Sequence, residues 1–156
     1  MACVGGEIRA NVPCLIQDDG TQFNIIGPYV GGVVPGAIKS SHATGGIGYA
    51  TGAGGTVAQA TNKATGVTLN AATGRITMTA VSLDAGTVVT FPLTNSTLAA
   101  TDLLVLNHVS GGTAGAYTIN AQASAGAADI NVRNITAGSL AEAVVIGFAV
   151  VKAVTS

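Results

Sequence analysis

From Val67 onward the chain alternates. Val67 and Leu69 are apolar where Thr68 and Asn70 are polar. After the turn Ala72-Thr73-Gly74, Ile76, Met78 and Ala80 face one way while Arg75, Thr77 and Thr79 face the other. Val89, Phe91 and Leu93 form a third run. Tyr117, Ile119, Ala121 and Ala123 alternate with Thr118, Asn120 and Gln122, and Ile130 and Val132 with Asp129, Asn131 and Arg133. Val144, Ile146, Phe148 and Val150 share one face of the last run. A period of two is the pattern of a strand with one side buried. Leu103–Leu106 is apolar on both faces and predicts a central strand. Pro92, which has no N–H to give a ladder, predicts an edge position for the third run. Leu83-Asp84-Ala85-Gly86 reads as a turn. Seven strands between turn signals, with no helical period, predict an all-β fold: an antiparallel β-sandwich of jelly-roll or Ig-like kind over residues 46–156.

Residues 1–45 read differently. Asp18-Asp19-Gly20, Gly27-Pro28, Gly31-Gly32 and Pro35-Gly36 cut them into short pieces, Pro13–Gln17, Thr21–Ile26 and Tyr29–Val34. Such pieces either pair as small strands or lie along a neighbouring subunit. They predict an irregular N-terminal arm for attachment. The boundary falls in a glycine-rich connector, Gly45–Gly55.

That connector, GGIGYATGAGG, invites a nucleotide-binding reading, which fails on its surroundings. A dinucleotide fingerprint needs its glycines between a strand and a helix, and no helical pattern opens after Gly55. A P-loop ends in Gly-Lys-Ser/Thr, and here Gly55-Thr56 has no lysine. Glycine in this place serves close packing or a flexible joint. No other catalytic pattern stands up. Asp102 and His108 are about 20 Å apart along an extended strand, since each residue rises roughly 3.3 Å. No Gly-x-Ser-x-Gly elbow supports Ser110. His42 is isolated, and Asp18-Asp19 before Gly20 is turn chemistry. The chain therefore predicts no enzyme and no cofactor. A metal is also not expected, because Cys3 and Cys14 have only His42 as a third soft ligand. Free thiols and a disulfide clip both remain open for the two cysteines.

Composition narrows the partners. Charged residues are 8% of the chain against a usual share of about 25%. Arg9, Lys39, Lys63, Arg75, Arg133 and Lys152 are scattered, so no basic patch for nucleic acid is expected. The longest apolar run, Ala143–Val151, is too short to span a membrane as a helix, and the N-terminus lacks a secretory signal pattern. Asn95-Ser96-Thr97 and Asn134-Ile135-Thr136 match glycosylation acceptors only by chance in a chain made without that signal. So apolar a chain predicts a surface largely covered by partners. Val88, Pro92, Leu103, Val105, Val109 and Val145, on strand faces or edges otherwise wet, are the candidate oligomer or capsid interface.

Three stretches carry a resemblance: GYATGAGGTVAQATNKATGVTLNAATGRITM, FPLTNSTLAATDLLVLNH and GFAVVKAVTS. From Gly48 to the end the chain resembles virion structural proteins of tailed bacteriophages, of the head-decoration or fibre-like kind. The resemblance implies a capsid decoration (cement) protein. It would be made in the bacterial cytoplasm, sit on the virion's capsid surface and bind the major capsid protein, as a homotrimer. The second role it implies is a tail-fibre, head-fibre or spike component that contacts a host receptor or glycan.

Overall fold

The computed structural model describes residues 15–18, 23–26, 44 and 46–155. The chain divides into two compact units, Met1–Ile47 and Gly48–Ser156. In the first, strands β1 (Leu15–Asp18) and β2 (Phe23–Ile26) pair antiparallel, with Leu15 opposite Ile26 and Asp18 opposite Phe23. Two of the three predicted N-terminal pieces thus pair with each other. The third, Tyr29–Val34, lies outside the described residues, as do Cys3, Cys14, Asp19 and His42.

The second unit is all-β, with no helix among its described residues. Its strands are β3 (Gly54–Ala58), β4 (Val67–Thr68), β5 (Thr73–Thr77), β6 (Val88–Thr94), β7 (Leu103–Ser110), β8 (Tyr117–Ser124), β9 (Ala127–Asn134) and β10 (Val145–Val151). They form two four-stranded sheets, ordered β3-β5-β10-β7 and β4-β6-β9-β8. The inward side chains of both sheets make one core. Ile76, Ile146, Phe148 and Val150 come from the first sheet and Val67, Phe91, Leu93, Ala128, Ile130 and Val132 from the second. β3 lies beside β4 along one flank of this sandwich and β7 beside β8 along the other.

All seven predicted strands are present, but the sheets are mixed. Three strands of each run antiparallel, while β3 pairs parallel with β5 and β4 parallel with β6. The reason is the path of the chain. From β3 to β7 successive strands alternate between the sheets, so β4 is the crossover that lets β3 and β5 run the same way. Only β8 and β9 follow one another within a sheet of this unit.

Three expectations need correction. The connector Gly45–Gly55 is in part a strand, because Gly54 and Gly55 open β3. The glycines serve packing there. Gly55 and Gly74 are ladder partners, and the Leu69 side chain fills the hollow they leave on the inner face. A Cβ would stand 2.8 Å from Leu69 Cδ1 at Gly55, and 2.6 Å from Leu69 Cδ2 at Gly74. Next, β7 is the edge of its sheet and not central. Leu104 and Leu106 pack on the core, but Leu103 and Val105 are 60% and 56% exposed. Its two apolar faces therefore have different causes. Last, β6 is an inner strand between β4 and β9. Pro92 is tolerated because the ladder to β4 covers only Leu93 and Thr94.

Candidate interaction surface

The polar constellations of this fold are joints, and each is closed on itself. Asn95 follows β6 and Asn134 ends β9, and both are fully buried. Each Oδ1 accepts from the backbone N–H and the hydroxyl of the threonine two residues on: Thr97 at 3.0 and 2.8 Å, Thr136 at 2.9 and 2.7 Å. Each Nδ2 donates into the fold, Asn95 to Ala71 O and Asn134 to Leu83 O and Gly138 O. The two Asn-x-Thr matches are thus paired structural turns. Their amide nitrogens are not available to an acceptor chemistry in the folded chain.

Asp102, just before β7, is buried. Its carboxylate accepts from Lys152 Nζ at 2.5 Å and Ala99 N at 2.8 Å. The Lys152 hydrogen bond, followed by that of Ala99, holds its pKa below the ordinary carboxylate range. Glu142 similarly fixes the connection after β7. It accepts from Thr113 Oγ1 at 2.6 Å, Thr113 N at 2.8 Å and Tyr117 O–H at 2.7 Å. These donors, Thr113 Oγ1 first, lower its pKa, and burial pushes the Tyr117 hydroxyl up. Lys63 is buried too, and desolvation lowers its pKa. Its ammonium donates to Thr79 O and Glu142 O. His108 meets the carbonyl of Gly111 through Nε2 and the Tyr117 ring edge-on. His108 and Asp102 are thus engaged with separate partners. No group of three His, Cys, Asp or Glu side chains suited to a metal occurs among the described residues.

What remains is surface, and its two sides differ. The outer face of β4-β6-β9-β8 is polar. Thr90, Thr94, Thr118, Asn120, Gln122 and Asp129 stand on it. Thr90 donates to Asn131 at 2.6 Å and Asn131 to Asn120 at 2.9 Å, a hydrogen-bonded ladder across three strands. Such a face is content in water.

The outer face of β3-β5-β10-β7 is not. Ladder partners set out its rows: Gly54, Thr73, Ala149 and Val105 in one, Thr56, Arg75, Gly147 and Asn107 in the next. Along β7, Leu103, Val105 and Val109 stand exposed, joined by Val151 from β10. Val109 is the extra residue of a β-bulge between Val145 and Ile146, and its side chain lies over Gly147. Beside this ridge the small residues of β3, β5 and β10 leave a shallow trough of about 460 Å³. Arg75 is the one ionisable side chain at the outward positions of these strands, since His108 of β7 pairs with the inward Ile146 and meets the Tyr117 ring.

The six predicted interface residues divide between these surfaces. Leu103, Val105, Val109 and the half-buried Val145 share the apolar face, whereas Val88 and Pro92 lie across the sandwich on the polar one. Sequence reasoning missed the trough, because Gly54, Gly147 and Ala149 advertise nothing until the register sets them side by side. No protein-family model matches the chain, and neither does any curated protein or solved structure.

Proposed function

We propose that this protein is a virion structural component of a tailed bacteriophage, a capsid decoration protein that binds the major capsid protein on the outer shell. The observation that carries the reading is the contrast between the outer faces: one apolar with a single ionisable side chain, one polar and self-satisfied. A subunit of a tiled shell needs this division, with one side for neighbours and one for water. The setting comes from the resemblance to phage virion proteins read in the sequence from Gly48 onward. The edge strands β3, β4, β7 and β8 carry no Asp, Glu, Lys or Arg, so nothing in them repels an added strand.

The second reading, a fibre or spike component that touches a host glycan, draws on the amide and hydroxyl side chains of the polar face, which suit sugar hydroxyls. Copy number separates the two. Quantitative mass spectrometry of purified particles should find hundreds of copies for a decoration protein and a few tens at most for a fibre. Absence from particles would overturn both.

A further inference from the structure

We infer that a second copy of this chain covers the outer face of β3-β5-β10-β7, and that the contact is two-fold. The ridge and the trough lie side by side on one face. On one side Leu103, Val105 and Val109 stand up along β7. On the other, Gly54, Thr73 and Ala149 line the trough. When two such faces meet about a two-fold axis, each ridge enters the other's trough. This is the self-complementarity an isologous interface demands. A ring of three needs two different surfaces per copy, and the sandwich offers one apolar outer face. The three-fold arrangement implied by the resemblance is therefore the competing outcome.

Charge is sparse on both sides of such a contact: each copy brings one Arg75 and no carboxylate on these strands, so shape and not charge carries the pairing. Size sets the strength. Four strands of five to eight residues present a face of roughly 19 by 20 Å, about 400 Å² in plan. A standard interface takes about 800 Å² from each partner, so this one belongs to the small, reversible class.

The test is sedimentation velocity of the full chain from about 1 to 100 µM, which brackets micromolar dissociation constants. Wild type should pass from monomer to dimer across it. Val105→Asp should remain monomeric throughout, and Val105→Ser should weaken pairing by tenfold or more. Thr90→Asp, on the opposite face, should pair like wild type. Melting curves and circular dichroism show whether each variant is folded. A wild type that stays monomeric or forms trimers, a folded Val105→Asp that still dimerises, or a Thr90→Asp that does not, would overturn the inference. The result concerns the isolated chain, so it stands or falls separately from the presence of the protein in virions.

Discussion

Changing Asn134 to Asp alters one atom and should make stability depend on pH. In the native chain Nδ2 of Asn134 donates to Leu83 O at 2.9 Å and to Gly138 O at 2.8 Å, with the side chain fully buried. An oxygen in that place faces two carbonyl oxygens. The fold then demands the protonated acid, which can restore one of the two bonds. Unfolded Asp titrates near 3.9, and each unit of displacement is worth 1.36 kcal/mol, so holding the proton to pH 7 costs about 4 kcal/mol. The chain can instead keep the charge and bear the repulsion, which makes that figure a ceiling on the pH-dependent part. The one donor lost in the protonated state adds about 1 kcal/mol, and the ionised state loses both. Against a total stability of about 5–15 kcal/mol, this is a large fraction. The sign follows from the raised pKa of the introduced acid. Its penalty is nearly absent below about pH 4 and grows as pH rises, until the folded-state pKa is passed. Urea unfolding of Asn134→Asp and wild type at about pH 4 and pH 7.5 reads the difference. Asn120→Asp is the control, since Asn120 Oδ1 only accepts, from Asn131. The reasoning fails if the gap between Asn134→Asp and wild type is the same at both pH values, or if Asn120→Asp shows the same pH-dependent gap.

Two further outcomes are expected. Gly74→Ala should cost about 1–3 kcal/mol by overpacking, because its Cβ would meet Leu69 Cδ2 at 2.6 Å and Gly55 O and the Phe148 ring at 2.9 Å. Adding Leu69→Val should recover part of that loss, and thermal unfolding of the single and double variants checks it. Acid should unfold the protein through Asp102 and Glu142, whose folded pKa values are both depressed. Their stabilisation is present above the ordinary carboxylate range and is lost as pH falls through the depressed values, below about pH 4. Urea midpoints measured from about pH 2.5 to 7 should be flat down to about pH 5 and then fall, less steeply in Lys152→Met, where the first cause of the Asp102 shift is gone.

Alternation told which side chains point inward. Ile76, Phe91, Leu93, Ile130, Val132, Val144, Ile146 and Phe148 are all buried where the period of two placed them. That period says nothing about neighbours. Leu103–Leu106 looks central because both of its faces are apolar, yet one faces the core and the other is the ridge of an exposed face. Likewise Gly54 and Gly55 hid a strand, since glycine has no side chain to alternate. The candidate surface was half legible. Exposed valines and a leucine could be named, but whether they share a side of the sandwich depends on strand order, which local sequence does not encode. The Asn-x-Thr turns were visible as motifs, and their role came only with burial.

The alternation of strands between sheets also sets an order of events. β10 lies between β5 and β7 and is the last of the described strands to be made. Until Val145–Val151 emerge, β5 has only the parallel neighbour β3, and β7 has no strand partner at all. The sheet β4-β6-β9-β8 needs nothing beyond Asn134, and it contains the unit's one sequential hairpin, β8–β9. It can therefore assemble first and template the other layer. Long-range closure of this kind is slow, and it leaves β5, with Arg75 as its one charge, and β7, with no Asp, Glu, Lys or Arg, waiting in the meantime. A half-made copy presents more pairing surface than a finished one. The arrival of β10 is thus the step at which β5 and β7 gain their partner within their own chain.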